Sequence, residues 1–189
     1  MRRFGIILIA LWLVGCATQP AQTKIAAGTR MTLQGVAFIS PNEPGWSVHQ
    51  TPDSNDVEFG RILSNQDTEV MRVIVTQLPS ASNDKEVFAD FQANLDKRAP
   101  KPRFDVVMTN YTPETFKQAT CLKYDVIIDD HKVNKYIVMT GYGCRHPQDP
   151  LLFVEFEVSQ RSQSQTLSPS LTAMGKAFFD HVEFLSPVK

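Results

Sequence analysis

Apolar residues are distributed along the chain in three ways: one unbroken run at residues 4–14, short alternating segments from about residue 30 onward, and two stretches at helical spacing. The first alternating or short apolar segments fall at residues 32–40, 47–51, 57–63 and 69–78. Pro41-Asn42-Glu43-Pro44-Gly45 and Ser64-Asn65-Gln66-Asp67 separate them, and such residues favour turns over regular structure, so the segments between read as strands. Val87, Phe88, Phe91 and Leu95 then recur on one side of a helix, with Asn83 as its cap and Glu86 three residues later to complete a capping box. That helix must stop before Pro100, because proline disfavours helical backbone at the residue before it.

Further strands are expected at residues 104–109, 122–128, 136–143 and 151–159, which are rich in β-branched and aromatic side chains. Tyr136, Val138, Thr140 and Tyr142 share one face, as do Leu152, Val154, Phe156 and Val158. A period of two at this length marks antiparallel strands with one buried face. After the polar residues 160–166, Ser168 caps and Pro169 opens a second helix, whose Leu171, Met174, Phe178 and Val182 need a sheet to cover. A short run at 182–185 supplies a last strand. Strands, helix, strands, helix, strand, without regular βα alternation, predict an α+β fold: a largely antiparallel sheet with flanking helices.

The unbroken run has a different meaning. Arg2 and Arg3 precede it and Leu13-Val14-Gly15-Cys16 closes it, which is the layout of a secretory signal: a positive start, an apolar centre and a small residue at the cleavage site. Eleven residues are too few to span a bilayer, which takes about 20 in a helix. Leu13-Val14-Gly15-Cys16 resembles the bacterial lipobox, and that resemblance implies a lipid-bearing Cys16 at the start of the mature chain. Ala17 follows where an Asp would favour retention in the inner membrane of enteric-type bacteria, so the outer membrane is the expected location, with the protein facing the periplasm. The expected organisation is a signal at 1–15, a lipidated Gln-, Thr-, Ala- and Pro-rich tether at 16–29, and one α+β domain at 30–189.

With Cys16 used for the lipid, two of the three cysteines remain, Cys121 and Cys144. They flank a hairpin-like stretch that turns at Asp129-Asp130-His131-Lys132, so they should lie near one another at its open end. In an oxidising compartment such a pair is expected to be bridged. No Cys-x-x-Cys spacing supports a redox role.

Composition narrows the partners. The formal net charge is −1, and loss of Arg2 and Arg3 makes the mature chain more acidic, so no nucleic-acid partner is expected. The one basic stretch, Lys97-Arg98-Ala99-Pro100-Lys101-Pro102-Arg103, reads as a solvated loop, with anionic headgroups as the sharper alternative. No nucleotide-binding glycine loop, Gly-x-Ser-x-Gly elbow or His-Glu-x-x-His motif occurs. His49, His131, His146 and His181 are scattered and read as surface or half-buried residues. Asp129-Asp130-His131 is expected to be turn chemistry. Glu155 and Glu157 share one strand face and suggest either paired carboxylates or, with more weight, a solvated face. Trp46 reads as packing, with contact to a ligand or partner as the alternative. The expectation is a protein with no catalytic residues, metal or cofactor.

The order of elements, with Val36-Ala37-Phe38-Ile39-Ser40-Pro41 running into Pro44-Gly45-Trp46-Ser47-Val48, resembles the PsbP-like (Mog1/PsbP) α-β-α sandwich over residues 30–185. The resemblance implies that fold and a role in binding or assembly, and it carries over no functional residue. The leading expectation is therefore an envelope interaction module, anchored to the membrane through Cys16 and contacting an envelope protein through strand edges or loops. The alternative is a periplasmic carrier of a small apolar ligand, with a pocket lined by Phe88, Phe91, Phe178 and Phe179.

Overall fold

The alternating segments become ten strands that order into two sheets, and the two helically spaced stretches become two helices, in a computed structural model that describes residues 26–50, 55–63, 65–79 and 83–186. The signal-like run and Cys16 lie outside the described residues. Strands β1 (Arg30–Leu33) and β2 (Val36–Ile39) form a hairpin, not the single strand expected at 32–40. The physical reason lies in Gln34 and Gly35, both at positive φ, which make the two-residue turn that suits the twist of antiparallel strands. The C-terminal strand β10 (Glu183–Phe184) joins the other edge of β2, giving a three-stranded sheet that ties the two ends of the domain together.

Seven strands make the main sheet: β3 (Ser47–His49), β4 (Asp56–Ile62), β5 (Thr68–Gln77), β6 (Phe104–Phe116), β7 (Ala119–Asp130), β8 (Lys135–Arg145) and β9 (Leu152–Ser162). Their order is β3-β4-β5-β9-β8-β7-β6, antiparallel throughout. β6 runs well past the expected 104–109, because it is an edge strand and Pro113 removes no donor that an inner ladder would need. Its turn to β7 uses Lys117 and Gln118 at positive φ, so no glycine marks it in the sequence. Asp129 and Asp130 end β7 instead of forming the turn, which falls at residues 131–134.

Helix α1 (Asp84–Lys97) starts on the expected capping box, Asn83 and Glu86 satisfying each other's backbone N–H groups. It packs Val87, Phe91 and Leu95 on one face of the main sheet, against Leu122, Tyr124, Val126 and Phe153. Helix α2 (Pro169–Asp180), capped by Ser168 as expected, lies on the opposite face with the small sheet. There Phe38 meets Phe59 from the main sheet and Phe178 from α2, each edge to face with ring centroids 6.3 Å apart. The central strands of the main sheet are thus buried on both faces, one α-helix to each side, while the edge strand β6 stays largely exposed.

Cys121 and Cys144 face each other directly across β7 and β8, with Cα atoms 4.1 Å apart, and are joined in a fully buried disulfide. Closing a loop of 23 residues in sequence contributes about 3 kcal/mol through the unfolded chain's lost entropy.

Candidate functional site

The strongest concentration of polar side chains lies under the C-terminal end of α1. Strand β9 alternates Val154, Phe156 and Val158 toward α2 with Phe153, Glu155 and Glu157 toward α1. The two glutamates are 4% and 6% exposed, which overturns the expectation of a solvated face. Two features bury them. Gly141 and Gly143 on β8 leave the sheet bare at these positions, so that the Tyr124 ring lies over Gly141 and the Phe91 and Phe153 rings lie over Gly143. The end of α1 then brings Arg98 down onto the carboxylates.

Arg98 donates to both oxygens of Glu155, at 2.7 and 2.6 Å, and to Glu157 at 3.3 Å. The Tyr124 hydroxyl, fully buried, donates to Glu155 at 3.0 Å and approaches Glu157 at 3.4 Å. Across the ladder Glu157 pairs with Arg72 of β5, which is itself held by Asp56 through contacts of 3.0 and 3.1 Å from its Nε. Burial, and then the neighbouring Glu155, push the Glu157 carboxyl above its ordinary value. Burial followed by the two carboxylates raises the Tyr124 phenol, so it stays a donor. The guanidinium of Arg98 is held protonated by Glu155 against the opposing effect of burial. The arrangement holds helix to sheet by charge-assisted hydrogen bonds, and its open side is limited to the partly exposed Arg98 and Arg72. In the sequence, only two glycines two residues apart in a strand, facing acids in the next, signalled it.

The basic stretch at 97–103 is also turned inward in part. Arg98 serves the glutamates, and Arg103 donates to both oxygens of the buried Asp130 at 2.9 and 2.8 Å. That leaves Lys97 and Lys101 as its exposed lysines, Lys101 lying 3.3 Å from Asp105. His131 sits in the turn with Nε2 2.9 Å from Asp105, which raises its affinity for a proton. His146, expected at the surface or half-buried, is fully buried. Its Nδ1 accepts from the backbone N–H groups of Gln148 and Asp149 and its Nε2 donates to the Gly35 carbonyl at 2.9 Å, linking the two sheets. His49 and His181 are exposed. No group of three potential metal ligands converges among the described residues.

Trp46 is half-buried against the core, with the Arg61 guanidinium 4.9 Å from its ring centroid. Arg61 in turn pairs with the buried Glu69 and with Glu43. The four phenylalanines expected to line one pocket do not: Phe88 and Phe91 stand on the α1 face, Phe178 and Phe179 on the α2 face. The sheet separates them. A cleft of about 660 Å³ does open beside α2, between Met174, Ala177 and Phe178 on the helix and Ala27, Gly28 and residues 39–43 opposite.

No family model and no curated protein sequence matches the chain. Among solved structures it is similar to the cyanobacterial PsbP (CyanoP) from Synechocystis sp. PCC 6803, with a TM-score of 0.53 and 13% identity, over 90% of this chain and 99% of that one. The fold is PsbP-like. A weaker likeness, TM-score 0.47 and 11% identity, is to the Ran-binding protein Mog1p of Saccharomyces cerevisiae, over 86% of this chain and 97% of that one. The PsbP-like fold places the α1 helix and the acid pair on one side of the main sheet and the cleft on the other. Among the described residues no helix is long and apolar enough to cross a membrane.

Proposed function

We propose that this protein is a lipid-anchored interaction or assembly module of the bacterial envelope, held on the outer membrane through Cys16 and facing the periplasm. One observation carries the interaction reading: the long edge strand β6 exposes Val106, Val107 and Met108 in succession, at an irregularity in its pairing with β7. Val133 is exposed in the β7–β8 turn at the same end of the sheet. Unpaired edges with exposed apolar side chains are where added strands and protein partners dock. The buried cystine at Cys121–Cys144 is in keeping with an oxidising compartment.

A photo-crosslinking residue at position 107, compared with one at the exposed Lys176, tests the docking edge in cells. A discrete adduct specific to position 107 is expected, and equal or absent adducts at both positions rule the edge out. Labelling with a palmitate analogue tests the anchor separately: Cys16→Ser abolishes incorporation if the anchor is real, and unchanged labelling refutes it.

The carrier reading retains one supporting observation, the cleft beside α2, whose volume lies within the roughly 300–1,000 Å³ of small-molecule sites.

A further inference from the structure

The cleft beside α2 has a floor, two walls and a characteristic rim. Its floor reaches Met71 and Phe178, both in the buried core. Met174 and the small exposed residues Ala173 and Ala177 form the helix wall, while Ile39 and Pro41 stand opposite. Two thioethers and small side chains suit a flexible linear ligand better than a rigid one. The rim is polar, with Glu43, Asn42, Ser170 and His181, and among the described residues no lysine or arginine lines the cleft. A free fatty acid would bring its carboxylate beside Glu43, next to an Arg61 guanidinium already engaged by Glu43 and Glu69. An acyl chain whose carboxyl is already an ester or amide carries no such charge.

The chain itself points to the source. Ala27 and Gly28, at the start of the described residues, belong to the cleft wall. The chain from Cys16 to Ala27 reaches at most about 36–40 Å when fully extended. A lipid on Cys16 is therefore tethered within reach of the cleft.

We propose that the cleft shelters one acyl chain of the lipid on Cys16 while the protein is in water, before it enters a bilayer or after it leaves one. The inference rests on the lipid-anchor reading above. In a bilayer the chain returns to hydrocarbon, where each buried methylene contributes about 0.8 kcal/mol.

The test uses the exported Cys16→Ser protein, which carries no lipid, and the lipidated wild type after detergent removal, titrated with monopalmitoylglycerol as an uncharged probe and with palmitate. The expected result is saturable uptake of one monopalmitoylglycerol per Cys16→Ser chain, at least tenfold tighter than palmitate, with little uptake by the lipidated protein. Ala177→Trp or Ala173→Trp, each placing a large ring in the cleft from an exposed helix position, should weaken uptake at least tenfold while near-ultraviolet circular dichroism stays native. No saturable uptake, uptake unaffected by both folded tryptophan variants, or equal uptake by the lipidated and Cys16→Ser proteins overturns the proposal. Mass spectrometry of the wild type separates the two readings: a lipidated protein with a cleft that takes no probe sinks the cleft alone, and an unlipidated wild type sinks the anchor and this inference with it.

Discussion

Arg98 is the cation that both buried glutamates share, through two short contacts to Glu155 and a longer one to Glu157. Removing one partner of a buried ion pair leaves the other charge without solvent or counter-ion, at a cost of about 3–5 kcal/mol. Arg98→Met is therefore expected to lower the unfolding free energy, read from urea denaturation, by an amount in that range, far beyond the effect of the same change at the exposed Lys97. Glu157 behaves in the opposite sense. Its carboxyl is raised, so the folded state holds the proton more tightly than the unfolded chain does. The resulting cost to the fold is absent at low pH, where both states are protonated. It grows as the pH climbs from the unfolded toward the folded value and is complete above the latter. Glu157→Gln should accordingly be more stable than wild type at neutral pH, and the gap should close as the pH falls through the carboxylate range, as read from urea denaturation at each pH. A gap that stays constant with pH would show that Glu157 is not the group responsible.

Along the elements, Gly141 is the position where the main sheet has least room. A Cβ built there would stand 2.1 Å from the Phe156 carbonyl oxygen and 2.7 Å from the Tyr124 ring. The first neighbour is backbone, so relief means moving β9 against β8. Gly141→Ala is expected to cost about 3 kcal/mol, the upper end for overpacking, whereas the same change at Gly60, which meets nothing within 4 Å, should cost far less. Much of the element structure was legible in the sequence. The N-caps and apolar spacing of both helices, the period of two in β8 and β9 and the opposed cysteines all depend on local chemistry that the chain displays directly. Two kinds of feature were not. Turns made by Lys117 and Gln118 at positive φ carry no distinctive residue, which is why β6 was expected to be shorter than it is. The acid cluster depends on strand order: Glu157, Arg72, Tyr124 and Arg98 come together only because β9 sits between β5 and β8, and polar residues alternating along a strand otherwise mark its wet face.

For the whole molecule, the small sheet controls how the domain closes. β2 takes β1 on one edge and β10 on the other, Leu185 donates to the Gly35 carbonyl, and Phe184 packs edge to face on His146 and Phe156. Deleting residues 183–189 should leave the seven-stranded sheet, because none of its ladders uses them. It should also remove the hydrogen-exchange protection of β2 and lower the melting temperature. Retained protection at Ala37, which pairs with Glu183, would contradict that assignment. The same arrangement sets an order of events during synthesis. A polypeptide leaves the ribosome N-terminus first, so β2 is among the earliest strands to emerge and β10 is the last. One edge of β2 must wait, unpaired, for nearly the full length of the chain. The domain can reach its final form only after β10 has emerged, so any step that needs an unfolded polypeptide has until then to act.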